Sequence, residues 1–249
     1  MFTGLIETTG AVVGVRPYGK SVELCVRPGA PGFIVGIGAS VAVDGVCLTL
    51  ERRGLGGLMF FTAVAETLGR TTLAHAAAGR KVNLERALLA SGRFDGHIVL
   101  GHVDAVGRIV SDERVGASLV RTVRLPDELS PFIAEKGSIA IDGVSLTIAE
   151  VKRGEVSVSL IPATVGKTAI AAKGVGGSVN IECDVLAKYM YGMIKAGAPS
   201  GLSSSDIRGA AVSKIKMPTG KTAISISRGE EPVVNKKESL IDKMERLGF

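Results

Sequence analysis

Residues 136–148 read Lys136-Gly137-Ser138-Ile139-Ala140-Ile141-Asp142-Gly143-Val144-Ser145-Leu146-Thr147-Ile148. Residues 38–50 read Gly38-Ala39-Ser40-Val41-Ala42-Val43-Asp44-Gly45-Val46-Cys47-Leu48-Thr49-Leu50. In each stretch an apolar, β-branched run enters an Asp-Gly pair and leaves as a second alternating run, the pattern of two strands joined by a tight turn. Gly45 and Gly143 supply the positive φ that such a turn requires. The likeness extends outward from both stretches. Gly4 and Gly101, and Gly10 and Gly107, lie 97 residues apart; Asp44 and Asp142, and Thr49 and Thr147, lie 98 apart. Thr67 and Thr164, Thr71 and Thr168, and the runs Val82-Asn83-Leu84-Glu85 and Val179-Asn180-Ile181-Glu182 return to 97. A match held over so long a stretch signals a duplicated domain, since a solenoid unit repeats every ~20 to 50 residues.

The 249 residues include 33 glycines, 46% hydrophobic residues, 4% aromatics and no tryptophan, a turn-rich composition with strands built from valine, isoleucine and leucine. Strands are predicted at residues 10–15, 21–26, 40–43, 46–51, 59–64 and 81–85, and again at 103–110, 119–125, 138–141, 144–151, 155–160 and 178–182. Six short strands per copy favour closure, which removes sheet edges that so small a unit has nothing to cover. The expected fold is all-β: two tandem six-stranded antiparallel β-barrels of similar sequence, residues 1–95 and 96–184. Brief helical turns are expected near 66–73 and 127–134. Val185, Leu186, Tyr189, Met190, Met193 and Ile194 then fall on one helical face, predicting an amphipathic helix over 185–196. Residues 197–249 read as a flexible extension rich in Gly, Ser and Pro, with Leu240, Ile241, Met244 and Leu247 marking a short terminal helix.

Several classes are disfavoured. The start, Met1-Phe2-Thr3-Gly4, has neither a basic nor an apolar leader region. The longest uncharged run, residues 29–43, falls short of the ~18 to 20 residues of a membrane helix. Cys25, Cys47 and Cys183 are odd in number and widely spaced, so no disulfide framework is implied and a cytoplasmic protein is expected. The formal net charge of +6 is divided equally between the extension and the body, which argues against a nucleic-acid surface. A single-stranded nucleic-acid binder also needs stacking aromatics, which are few. There is no phosphate-cradling loop, no dinucleotide fingerprint and no zinc-type spacing among His75, His97, His102 and the cysteines. No cofactor and no metal is required.

Reactive candidates come from where the copies differ. Lys136 stands opposite Gly38, Ser145 opposite Cys47, and His102 opposite Leu5. His102 is either an acid or base near neutral pH or a structural histidine. Cys47 is either a nucleophile or a small buried hydrophobe, and Lys136 either steadies a developing anion or is a solvated loop lysine. If two like pockets hold two like molecules, such asymmetries give each molecule a different task.

These residues carry a resemblance. Met1-Phe2-Thr3-Gly4-Leu5-Ile6, Asp44-Gly45-Val46-Cys47-Leu48-Thr49, Glu66-Thr67-Leu68, Gly101-His102, Asp142-Gly143-Val144-Ser145-Leu146-Thr147, Leu160-Ile161-Pro162 and Asn180-Ile181-Glu182, in that order, resemble riboflavin synthase of the duplicated-barrel type over residues 1–194. The resemblance implies a cofactor-free transferase. One 6,7-dimethyl-8-ribityllumazine gives a four-carbon unit to a second, yielding riboflavin and 5-amino-6-(ribitylamino)uracil. It further implies two lumazine molecules per site and a homotrimer joined through the 185–194 helix, each site lying between the N-terminal barrel of one subunit and the C-terminal barrel of another. Association with lumazine synthase is an expectation of the same kind. A non-catalytic lumazine- or flavin-binding protein of the same fold is the alternative.

Carried over residue by residue, the N-terminal pocket is expected to use Gly4, Leu5, Ile6, Ser40, Cys47, Leu48, Thr49 and the segment Thr62, Ala63, Val64, Ala65, Glu66, Thr67. The C-terminal pocket is expected to use Gly101, His102, Val103, Lys136, Ser145, Leu146, Thr147 and the segment Leu160, Ile161, Pro162, Ala163, Thr164, Val165. Phe2 is expected to close the pocket, and Asp184 to bind ribityl hydroxyls. Catalytic roles fall to His102, Ser145, Thr147, Lys136, Cys47 and Thr49. Two departures stand out: Asp95-Gly96-His97 replaces the Gly-Gly-His of many members, and residues beyond Gly197 have no counterpart in shorter ones.

Overall fold

A computed structural model describes residues 1–196. The expected extension and its terminal helix lie outside the described residues. The N-terminal half contains β1 (Thr8–Tyr18), β2 (Ser21–Pro28), β3 (Ser40–Val43), β4 (Val46–Thr49), β5 (Arg52–Arg53), β6 (Met59–Ala63), α1 (Ala65–Arg70) and β7 (Lys81–Arg86). The C-terminal half contains β8 (Ala105–Val115), β9 (Ser118–Arg124), β10 (Ser138–Ile141), β11 (Val144–Lys152), β12 (Glu155–Leu160), α2 (Pro162–Lys167), β13 (Ser178–Cys183) and α3 (Val185–Lys195).

The two Asp-Gly pairs make the turns the sequence predicts. Asp44 and Gly45 have φ of 47° and 76°, Asp142 and Gly143 of 46° and 78°, so both central residues are left-handed. That geometry matches the twist of the flanking strands. Alternation then sorts the side chains: Val41, Val43, Val46 and Leu48 enter one apolar core, and Ile139, Ile141, Val144 and Leu146 enter the other. Ser40, Cys47, Thr49, Ser138, Ser145 and Thr147 are thereby turned outward.

The C-terminal half closes into a six-stranded barrel in the order β10-β11-β12-β9-β8-β13. Its long β11 pairs with β10 through its first residues and with β12 through its last. The N-terminal half forms a seven-stranded sheet, β4-β3-β7-β1-β2-β6-β5, rather than the expected six strands. Its end strands β4 and β5 are successive pieces of the segment corresponding to β11, parted only at Leu50 and Glu51. The cause lies in the following turn. β11 enters a tight Arg153-Gly154 turn with φ of 48° and 78°, whereas β5 enters a wider loop whose Gly56 and Gly57 have φ of 68° and 77°. Only Arg52 and Arg53 remain in register with β6.

The halves join back to back about a pseudo-twofold axis. The Asn83 side-chain amide donates to the Asp142 carbonyl at 2.9 Å, and that of Asn180 to the Asp44 carbonyl at 2.8 Å. Each asparagine backbone N–H meanwhile donates to Oδ1 of the aspartate in its own half, at 2.8 Å. Phe2 and Val99 exchange backbone hydrogen bonds across the same axis, and their side chains form a small core with Ala42 and Ala140. α3 ends the described chain, with the Asp184 carboxylate accepting from the Leu186 N–H at 2.9 Å. Tyr191 meets Phe132 edge to face, while Leu186, Tyr189, Met190, Met193 and Ile194 are exposed.

A Cβ at Gly143 would lie 2.7 Å from the Gly45 nitrogen, at a left-handed φ, so neither turn tolerates a side chain. Gly143→Ala is expected to lower unfolding free energy by about 3 kcal/mol, read by urea denaturation. A loss within a few tenths of a kcal/mol would contradict the back-to-back packing.

Candidate active site

Each half carries an outward face built on a gap in its strand pairing. Pairing between β11 and β12 ends at Ile148 and Val158, leaving the Ser159–Leu160 edge open towards Ser145 and Thr147. On the N-terminal side, β5 pairs only with Met59 and Phe60, leaving the edge of residues 61–63 open towards Cys47 and Thr49.

Two straps cross between the halves and cap these gaps. Glu85 of β7 accepts from the Thr3 N–H and hydroxyl at 2.7 and 2.8 Å and from the Gly4 N–H at 3.0 Å. The Gly4 carbonyl in turn accepts from the Ser145 N–H at 2.8 Å. On the other side Glu182 accepts from the Leu100 and Gly101 N–H groups at 2.7 and 2.9 Å, and the Gly101 carbonyl accepts from the Cys47 N–H at 2.9 Å. Gly4 and Gly101 have φ of 77° and 78°, and a Cβ on either would overlap Ser145 or Cys47. Burial raises the pKa of both glutamates, partly offset by the N–H groups they hold.

The straps exchange partners relative to the expected grouping. Ile6 packs on the C-terminal core and Val103 on the N-terminal core. Gly4, Leu5 and Ile6 therefore belong with Ser145, and Gly101, His102 and Val103 with Cys47. Chain order suggested the reverse because it does not show that each strap crosses the axis before meeting a barrel.

The other expected residues separate by burial. Cys47, Ser145 and Thr62 are half-buried, while Thr49, Thr147, His102 and Lys136 are exposed. Leu5, Val64 and Ile161 add exposed apolar surface, the last two at equivalent positions of the copies. Ala65, Glu66, Pro162 and Ala163 are exposed on the turns that follow each gap, with Thr67, Thr164 and Val165 half-buried behind them. Five of the expected residues turn their side chains inward. Leu48, Leu146, Ala63 and Leu160 point into the cores, and Phe2 is wholly buried between the barrels rather than closing a pocket. Thr62 donates its hydroxyl to Glu51 at 2.9 Å, and Ser40 lies on the edge of a separate cavity. That cavity, about 610 Å³, is lined by Thr3, Leu5, residues 34–36 and 85–89, with Cys47, Ser145 and the histidines outside its lining.

Lys136 occupies the left-handed position, φ 66°, that Gly38 fills at 84° in the other copy, and both N–H groups donate at 2.8 Å to the equivalent carbonyls of Ile148 and Leu50. A residue with a side chain held there carries strain, which glycine avoids.

His97 emerges from the structure. Its Nδ1 lies 2.7 Å from the Ser145 hydroxyl, and its backbone N–H donates to the Thr3 carbonyl. Nε2 is buried and has no hydrogen-bond partner among the described residues. The sequence signal was only a departure in the residues before it; contact with Ser145 depends on the Thr3 strap. Burial lowers the His97 pKa, opposed by the Asp184 carboxylate, so the neutral imidazole is favoured beside the serine hydroxyl. Such a pair can pass a proton between ring and hydroxyl.

Residues 3–87 and 100–184 each match the family model described as lumazine binding domain. The protein is therefore a tandem of two lumazine binding domains. A riboflavin synthase of Bacillus amyloliquefaciens is 41% identical over 192 residues, covering 77% of this chain and 88% of the relative. One of Photobacterium phosphoreum is 38% identical over 205 residues, covering 82% and 94%, and one of Brucella abortus 41% identical over 193 residues, covering 76% and 96%. The chain belongs to the riboflavin synthase family. Among solved structures, LumP complexed with riboflavin superposes with a TM-score of 0.68 at 23% identity, covering 74% of this chain and 99% of that one, a likeness of fold. No helix of the described residues is long and apolar enough to cross a membrane.

An NMR titration is expected to place His97 below the ordinary 6.5, with its neutral form prevailing at pH 7. Asp184→Asn, which removes the opposing charge, should lower it further. A midpoint above 6.5 would contradict the buried His97–Ser145 pair.

Proposed function

We propose that the protein is a riboflavin synthase, a transferase that passes a four-carbon unit between two 6,7-dimethyl-8-ribityllumazine molecules to give riboflavin and 5-amino-6-(ribitylamino)uracil. The observation that carries the reading is the pair of outward faces, alike in framework and unlike in reactive groups. Both offer an open strand edge beside hydroxyl-bearing residues and an exposed apolar side chain, Val64 or Ile161. Open N–H and C=O groups of such an edge suit the polar rim of a flat heterocycle, and the apolar residue suits its face.

The two faces lie on opposite halves of one chain. Two bound molecules meet only if the N-terminal face of one subunit closes on the C-terminal face of another. α3 supplies a contact for such an assembly: its exposed apolar side chains, from Leu186 to Ile194, have no cover among the described residues. We assign it as the helix joining a homotrimer. Domain limits of 1–95 and 96–184, a cytoplasmic setting and association with lumazine synthase belong to the same reading.

The division of labour follows the asymmetry. The C-terminal half supplies the Ser145 hydroxyl, oriented by His97, with Thr147 on the same strand and Lys136 just before β10, whose ammonium can stabilise charge developing on the ring. The strained φ of Lys136 is consistent with a side chain kept for such use. On the N-terminal face Cys47 and Thr49 are accompanied by exposed His102, available to take or return a proton. Loss of a methyl proton and attack on the second ring require the two molecules to be held face to face, and that positioning can supply roughly 7–11 kcal/mol of the barrier. Asp184, beside His97, is available to ribityl hydroxyls.

Mixing the purified protein with the lumazine alone is expected to produce riboflavin absorbance; tight binding without product would favour a ligand carrier instead. His102→Gln and Ser145→Ala should each lower kcat by about a hundredfold while changing ligand affinity little. Equal losses in both would point to positioning. A mixture of a His102→Gln chain with a Ser145→Ala chain should recover activity after subunit exchange, because some sites then combine two intact faces. No recovery would overturn the shared site.

A further inference from the structure

On the pseudo-twofold axis a separate cleft of about 470 Å³ opens between the halves, lined by Thr72, His75, Arg80 and Lys81 of one and Lys173 and Ser178 of the other. No carboxylate is among its lining residues. Behind its lining residues Arg80 and Lys173 lies the buried pair Asp44 and Asp142. Arg80 lies 2.8 Å from Asp44 Oδ2, and Lys173 lies 2.6 Å from Asp142 Oδ2 and 3.7 Å from Asp44 Oδ2. Two cations thus answer two carboxylates, as burial demands. That need accounts for Arg80 and Lys173. It leaves Lys81 and His75, both exposed, without a side-chain hydrogen bond or ion pair among the described residues.

The repeat sharpens the point. At a spacing of 97, Lys81 corresponds to Ser178, His75 to Ala172, and Arg108, the ladder partner of Ser178, to Ala11. Each of these positions therefore accepts a small neutral residue in one copy, with each ladder pair, Lys81 with Ala11 and Ser178 with Arg108, keeping one basic member. The cleft is also held in shape before any ligand arrives. Arg121, fully buried and paired with Asp112 at 2.7 Å, donates to the carbonyls of Ile170 and Lys173, fixing the turn that presents the Lys173 ammonium. Arg80 is fixed likewise, donating to the Thr72 carbonyl at 2.7 Å and the Thr72 hydroxyl at 2.6 Å.

We propose that this axial cleft binds a phosphate-bearing small molecule, with Lys81 and His75 as its principal ligands and the Ser178 hydroxyl facing them from the other half. A tetrahedral oxyanion suits donors converging from several sides, and the volume leaves room for a small group carrying it. Because both halves contribute, an occupied cleft ties the two barrels together. The site is distinct from the outward faces, none of whose residues line it.

The test is a titration of the full chain with inorganic phosphate at constant ionic strength, read by phosphorus-31 line broadening. Lys81→Ser combined with His75→Ala installs what the other copy carries, at exposed positions where folding is unaffected, which an unchanged melting temperature verifies. Saturable binding is expected in the native chain, about tenfold weaker in the double variant, as befits loss of a charge-assisted hydrogen bond. Saturating riboflavin should leave the phosphate affinity unchanged. No saturation at millimolar phosphate, equal affinity in the double variant, or displacement by riboflavin would each overturn the proposal. A failure of riboflavin itself to bind would bear on the outward faces alone.

Discussion

The contact between the two Asp-Gly turns governs the rest of this molecule. Gly45 and Gly143 approach so closely that neither has space for a methyl group. That approach buries Asp44 and Asp142 together at the centre of the chain. Desolvation, reinforced by the neighbouring Asp44 charge, pushes Asp142 up to about 6 despite Lys173. Two carboxylates in such a place persist only with full hydrogen bonding and nearby cations. Asn83 and Asn180 contribute to the first through their backbone N–H groups, each within its own half, while their side-chain amides span the axis to the aspartate carbonyls; Arg80 and Lys173 provide the second. The repeat solves this problem with two different residues at non-equivalent positions, so symmetry of the backbone coexists with asymmetry of charge.

From the same contact follows the composite character of each outward face. With the turns back to back, residues 1–6 and 98–103 run antiparallel through the middle, and each leaves the axis across the opposite barrel. Glu85 and Glu182 hold these straps from one half while Ser145 and Cys47 receive them in the other. A face is therefore never the property of one domain. Movement of one barrel would be felt by the strap, and through the strap by the residues beside the open strand edge. His97 is the clearest case, since its place beside Ser145 depends on a strap anchored at the far barrel.

Particular residues show how far reading the chain could go. The alternation in residues 38–50 and 136–148 identified the strands, the turns and which side chains face inward, because period-two patterning and Asp-Gly turns act locally. The same reasoning mistook residues 46–51 for one strand. The break depends on a glycine-rich loop five residues later and on how few β6 residues that loop leaves in register. Leu48, Leu146 and Phe2 were named through neighbouring motif residues, but inward alternation and the axial core remove their side chains from the faces. Lys136 was noticed as a departure from Gly38, although only its backbone angle shows that the departure carries strain.

By itself, the sequence determined the duplication, the all-β class, the hairpins and the set of unlike residue pairs, since each rests on spacing and periodicity within a short stretch. The tertiary structure alone decided which strap meets which barrel, that His97 reaches Ser145, and that His75, Lys81 and Lys173 share one cleft. Those are contacts between residues tens of positions apart, brought together by packing two glycine turns against each other, and nothing local in the chain encodes that approach.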